Sequence, residues 1–304
     1  MKENTKLAHR VFGCGNVAVV IDACLLSCGA EWWHIAERMA GSCRVLTFDR
    51  AGYGKSPVSK LPRKPSNIAM ELNELLESIG INHNIVLLGH SQGGYYAVQY
   101  AAMYPQKILG IVLLDPATPF DDAFKAKLTR QEFRNSGVDK TAGYRVGLLL
   151  TSLGLGFLLK PLLKKAPPFY YHTFSDDAER YLLEHLMKRT SYQIALEEYK
   201  FAHVHETTTD VRHAVETGAL GNIPLRLVTH SSGVYVQELM TYANMDKPTA
   251  EKVETIWQEV MRKLLALSKC SIHTVAPNSG HFIHLTDEAF VMDTVLKLIT
   301  ENTH

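Results

Sequence analysis

The chain has 304 residues, 46% of them hydrophobic, with 32 Lys+Arg set against 31 Asp+Glu and a formal net charge of +1. That balance gives no basic footprint for nucleic acid, and residues 1–6 lead into no apolar stretch of the kind a secretory signal needs. Five cysteines, at positions 14, 24, 28, 43 and 270, form no C-x-x-C pair and read as reduced thiols of a cytoplasmic protein.

The first strand signal is residues 17–22, Val-Ala-Val-Val-Ile-Asp, which runs into Ala23-Cys24-Leu25. A helical pattern follows over 31–39 and opens on Trp32-Trp33. Neighbours on a helix point about 100° apart, so one of the pair faces a pocket, and Trp32 is the candidate. Residues 45–49 form the next strand, and Asp49 and Arg50 are read as holding the loop that follows. Residues 68–79 are helical. The apolar run 84–88 then enters Gly89-His90-Ser91-Gln92-Gly93, with a helix over 95–104 behind it.

A serine on a sharp strand-to-helix turn has its hydroxyl clear of the sheet, and glycines at 89 and 93 let strand and helix pass closely. The backbone N–H of Gln92 points to the helix start, where an oxyanion would form. The bare pentapeptide is a weak pattern. Between a strand and a helix it marks Ser91 as a nucleophile, a mere tight turn being the bland alternative. His90, inside the turn, reads as a packing or hydrogen-bonding neighbour of the substrate site.

Residues 108–114 form a further strand closing on Asp115-Pro116. From 119 to about 221 the strand rhythm stops and helical patterns take over. Within this stretch, residues 146–159 carry no charge, with Arg145 before them and Lys160, Lys164 and Lys165 behind. Fourteen residues fall short of the ~20 that cross a bilayer. They read as one helix packed over an apolar pocket, with weak interfacial membrane contact as the alternative. His203-Val204-His205 lacks a third spaced ligand, so no metal is expected.

Strands return at 225–229 and 271–275, with a helix over 249–267 between them. The loop after the last strand carries Ser279-Gly280-His281 and can bring an imidazole back over the serine. His281 is therefore the candidate base, taking the Ser91 proton and returning it to a leaving group. Apolar strands alternating with amphipathic helices give an α/β fold, a mostly parallel central sheet with helices on both faces. No G-x-G-x-x-G or Walker pattern is present, and no cofactor is expected.

Three segments in this order, F-D-R-x-G-Y-G-x-S at 48–56, G-H-S-x-G-G at 89–94 and S-G-H at 279–281, carry a family resemblance. Over residues 8–119 and 219–300 the chain resembles an α/β-hydrolase. The resemblance implies a core domain of residues 1–119 and 219–304 and a helical cap insertion of residues 120–218 over the active site. It also implies a serine hydrolase that cleaves an ester, or a related acyl bond, through an acyl-serine, and the apolar run at 146–159 points to a small hydrophobic substrate.

The family's second oxyanion donor sits in the loop after the first of these strands, which here is the Leu25 N–H. Cys24 stands where the family usually has glycine, which puts that loop's backbone angles in question, and its thiol is either an inert packed cysteine or a substrate neighbour of Ser91. The family acid usually follows the seventh strand, but this chain reads Thr229-His230-Ser231-Ser232 there, without a carboxylate. Asp115 matches a place used by some members, pancreatic-type lipases among them, although an aspartate there can simply cap its turn. Asp246 is either a displaced acid or an N-cap for the following helix, and Glu238 is the third candidate. Two other functions stay open: a slow or non-catalytic ligand receptor on the same fold, and a lyase using Ser91 and His281.

Overall fold

Strand side chains alternate between two faces, and in this chain both faces are apolar. Val19 and Ile21 on one side and Val20 on the other are each at most 1% exposed, the pattern of a parallel strand covered twice. The computed structural model describes residues 6–136, 138, 141–203 and 209–303. It contains β1 (His9–Phe12), β2 (Ala18–Asp22), β3 (Arg44–Phe48), β4 (Ile85–His90), β5 (Ile108–Leu114), β6 (Leu225–Thr229) and β7 (Ser271–Val275). They form one sheet in the order β1-β3-β2-β4-β5-β6-β7. Every neighbouring pair is parallel except β1 with β3. The edge strand β1 gives little sequence signal, being four residues with exposed His9 and Arg10.

Period two sorts the core into two layers. Val20, Leu46, Leu87 and Leu113 pack on one face, beneath the Pro65–Ser78 and Gln92–Met103 helices. Val19, Ile21, Val45, Leu88 and Leu114 pack on the other, beneath the Trp33–Met39 and Glu288–Asn302 helices.

Between β5 and β6 the described residues are helical or irregular, as the change of rhythm at 119 implies. The uncharged run within them does not form the single inward-facing helix that its composition suggests. The helix Ala142–Ser152 stops, Gly154 turns the chain at φ +74°, and a 3₁₀ turn, Gly156–Leu159, follows. Gly147 backs onto Tyr192 so closely that a Cβ there would lie 2.2 Å from the ring. That contact sets the inner face as Tyr144, Gly147 and Thr151 and turns Val146, Leu149, Leu153 and Phe157 to solvent. Among the described residues no helix is long and apolar enough to cross a membrane.

Candidate active site

β4 ends at His90 and the next helix starts at Gln92, leaving Ser91 alone in the turn at φ +52°, ψ −119°. Glycine is required on both sides. A Cβ on Gly89 would lie 2.5 Å from Gly94 Cα, and one on Gly93 would lie 2.0 Å from Asp22 O. The Ser91 N–H donates to Leu114 O at 3.1 Å, and Ser91 O accepts from the Ala117 N–H at 2.8 Å. These bonds, with the register His90↔Leu114, set Ser91 and Asp115 at neighbouring strand ends.

Asp115 is fully buried and itself strained, at φ +42°. Its Oδ2 accepts from His281 Nδ1 at 2.6 Å. Of the three carboxylates considered from sequence, Asp115 is the one joined to His281. Asp246 caps the Lys247–Lys263 helix by accepting from the Thr249 N–H, and Glu238 accepts from the Tyr171 hydroxyl at 2.7 Å.

His230 escaped the sequence reading. It stands directly after β6, where the family acid was sought, and it is completely buried. Its Nδ1 lies 2.9 Å from Asp115 Oδ2 and its Nε2 lies 2.8 Å from Glu254 Oε2. Both ring nitrogens face carboxylates, so both carry protons and the ring is an imidazolium. Burial alone would lower its pKa, but Asp115 and Glu254 outweigh burial and raise it to about 10. Burial likewise pushes the Asp115 carboxyl up, and the His230 charge with the bonds from His230 and His281 overcomes this, holding it well below the usual carboxylate range. Asp115 is thus an anion clasped by two imidazoles.

Because the His230 pKa rises on folding, the stability it contributes is full below about pH 6.5 and is lost as pH climbs towards about 10. The melting temperature should therefore fall more steeply over that range in the native chain than in a His230→Gln variant. Parallel falls would refute the imidazolium.

A cavity of about 230 Å³ opens beside Ser91, lined among others by Leu25, Gln92, Tyr144, Tyr199, His203, Tyr235 and Trp257. Gln92 is the first residue of its helix, so its N–H has no acceptor within the helix. Among the described residues the Leu25 N–H has no protein acceptor. The left-handed angle in that loop falls on Leu26, at φ +59°, and not on Cys24, so the replacement of glycine by Cys24 costs no backbone strain. Arg50 fixes the loop by donating to Ala23 O at 2.7 Å and Cys24 O at 3.0 Å. Its guanidinium also bonds Asp22 Oδ1 at 2.5 Å and Glu198 at 3.0 Å, the latter from the Arg189–His203 helix of the insertion. Asp49 steadies the same region, accepting from the Gly29 and Lys55 N–H groups.

Three expected substrate neighbours are elsewhere. His90 and Trp32 are 0% exposed, because strand alternation sends His90 to the face where Trp32 packs. His90 Nε2 donates to His281 O at 2.9 Å and Trp32 stacks on His284 at 4.0 Å, so both support the His281 loop from below. Cys24 is also absent from the cavity wall, and burial pushes its thiol pKa well up. The aromatic wall from the insertion, Tyr144, Tyr199 and His203, had no sequence signal beyond helical spacing. His203 sits 2.5 Å from Asp121 Oδ2 and 2.9 Å from Gln92 Oε1, while Val204 and His205 lie outside the described residues.

Two groups have three metal-type donors within 4.8 Å, Cys24–Glu31–His90 and His34–His172–Glu288. In the first, Glu31 already accepts from Ser27 at 2.6 Å and from His284 at 2.8 Å. In the second, His34 Nε2 and His172 Nδ1 each lie 3.6 Å from Glu288 Oε1, and the two rings stack at 4.2 Å.

Residues 25–294 match the profile described as the Alpha/beta hydrolase family. An AB hydrolase superfamily protein of Gibberella zeae is 22% identical over 297 residues, covering 90% of this chain and 85% of that one. A (lyso)-N-acylphosphatidylethanolamine lipase of Bos taurus is 38% identical over 93 residues, 29% of this chain and 27% of its own. Among solved structures, an esterase of Thermogutta terrifontis superposes with a TM-score of 0.63 at 18% identity, over 98% of this chain and 94% of that one.

Proposed function

The chain belongs to the α/β-hydrolase family, and on that premise we propose that it is a serine hydrolase cleaving a carboxylic ester, or a related acyl bond, of a small hydrophobic substrate. One observation carries this reading: the 2.6 Å bond from His281 Nδ1 to Asp115, at the strand end where Ser91 stands on its strained turn.

With Nδ1 donating to Asp115, His281 Nε2 is the basic nitrogen. It takes the Ser91 proton as Oγ attacks the acyl carbon, while the N–H groups of Gln92 and Leu25 receive the charge on the carbonyl oxygen. The imidazolium protonates the departing alcohol. Water, deprotonated by the same nitrogen, then frees the acid from Ser91. Asp115 holds the ring and its tautomer, and His230 holds Asp115.

Residues 120–218 serve as the cap, presenting Tyr144, Tyr199 and His203 to the acyl group. A cavity of about 230 Å³ is below the roughly 300 Å³ where pockets for drug-sized ligands begin, which favours a short or slender acyl chain. The partial likeness to an enzyme named for N-acylated phospholipids supports an acyl group as the recognised part. Five free thiols support a cytoplasmic setting.

A fluorophosphonate ester tests the reading, because it reacts with activated serines and stays attached. One adduct by intact mass, mapped to the peptide containing Ser91, is expected. No adduct, or one on another serine, would overturn the mechanism.

A further inference from the structure

The insertion has a side that the acyl cavity does not use. The Ala142–Ser152 helix, the Gly154 turn, the Gly156–Leu159 turn and the short helix Lys160–Leu163 make a bent strap on its outside. Val146, Leu149, Leu153, Phe157, Leu158 and Leu162 on this strap are 49–68% exposed. Among the described residues, eight of the 15 exposed large hydrophobic side chains fall between positions 146 and 170, so the exposure is concentrated and not scattered.

Charge is concentrated in the same place. Residues 141–175 contain Arg145, Lys160, Lys164 and Lys165 and no Asp or Glu, which leaves the rest of the chain at net −3. Lys164 reaches Glu179 at 2.6 Å and Arg145 donates to the Thr141 hydroxyl at 3.3 Å. Neither contact places an acid on the strap itself.

We propose that this strap docks on the surface of an anionic lipid bilayer. Aliphatic and phenylalanine side chains would enter the boundary between headgroups and acyl chains, and the flanking cations would meet lipid phosphates and carboxylates. The strap lies on the bilayer and does not cross it: an 11-residue helix is about 16 Å long, against a ~30 Å hydrocarbon core. Tyr144 links the two sides of this element, because the helix that shows Val146 and Leu149 outward also lines the cavity beside Ser91. Docking therefore sets the cavity roof against the membrane. The inference does not require Ser91 to be the nucleophile, since its readout is binding.

Flotation of the full chain with vesicles tests it, using phosphatidylcholine alone and phosphatidylcholine mixed with phosphatidylserine. The native chain should float with the mixed vesicles and release at high salt. A Leu153→Ser, Phe157→Ser, Leu162→Ser variant should bind at least about tenfold more weakly with an unchanged melting temperature, since all three side chains are exposed. A Lys160→Glu, Lys165→Glu variant should lose the preference for phosphatidylserine. Failure of the native chain to float, or equal binding by the serine variant, would overturn the proposal. So would a native dimer that the serine substitutions convert to monomer, because the strap would then be covered by a second copy.

Discussion

Ser91→Ala should lose turnover of simple acyl esters by roughly 10⁵–10⁶-fold in kcat, leaving only what binding and the backbone donors supply. Stability should hardly change, because the Ser91 side chain caps nothing in its helix and alanine suits the turn no better than serine. The informative companion is Ser91→Gly. Its activity should be equally absent, yet the chain should gain about 1 kcal/mol, as release of the strained angles at φ +52° outweighs the entropy that glycine adds to the unfolded state. Urea titration of the three proteins measures this. Turnover retained by Ser91→Ala would end the nucleophile assignment, and a loss of stability in Ser91→Gly would mean that the turn is not strained.

Asp115→Asn should cost roughly 10³–10⁴-fold in kcat with little change in KM, because an amide fixes neither the His281 tautomer nor its charge. The stability cost should also be large, about 3–5 kcal/mol, since the buried His230 cation loses a partner. Asp246→Asn and Glu238→Gln are the controls. The first should weaken a helix cap by about 1 kcal/mol or less and leave kcat within twofold, and the second should spare kcat likewise. A larger kinetic loss in either control than in Asp115→Asn would transfer the acid's role.

Much of this arrangement can be read from the chain, for identifiable reasons. Six strands, the Ser91 turn and the His281 loop are legible: β2 to β6 because a buried parallel strand must be apolar throughout, and β7, though less buried, because it stands in the same strand-helix rhythm. Asp115 is one of three candidates by sequence, which does not show that it alone of the three lies against His281. His230 was invisible because its meaning depends on the register Leu114↔Val228, which brings the ends of two strands over 100 residues apart into contact. The uncharged run misled for the opposite reason: composition showed that it was apolar, but the close contact at Gly147 and the break at Gly154 decided which way it faced. Alternation along β4 turns His90 to the face where Trp32 packs, so His90 is the hydrogen-bonding neighbour its place in the turn suggests, while Trp32 does not reach the cavity that its helical phase suggested.

The buried guanidinium of Arg50 bears on how this chain can be re-engineered or recombined. It ties Glu198, on the insertion, to the two carbonyls that shape the loop at Leu25. A chimera that grafts another relative's insertion onto this core without an acid at that position would leave the buried Arg50 with Asp22 but without Glu198, and would slacken the loop over the reacting carbon. The graft has to bring an acid to the place of Glu198.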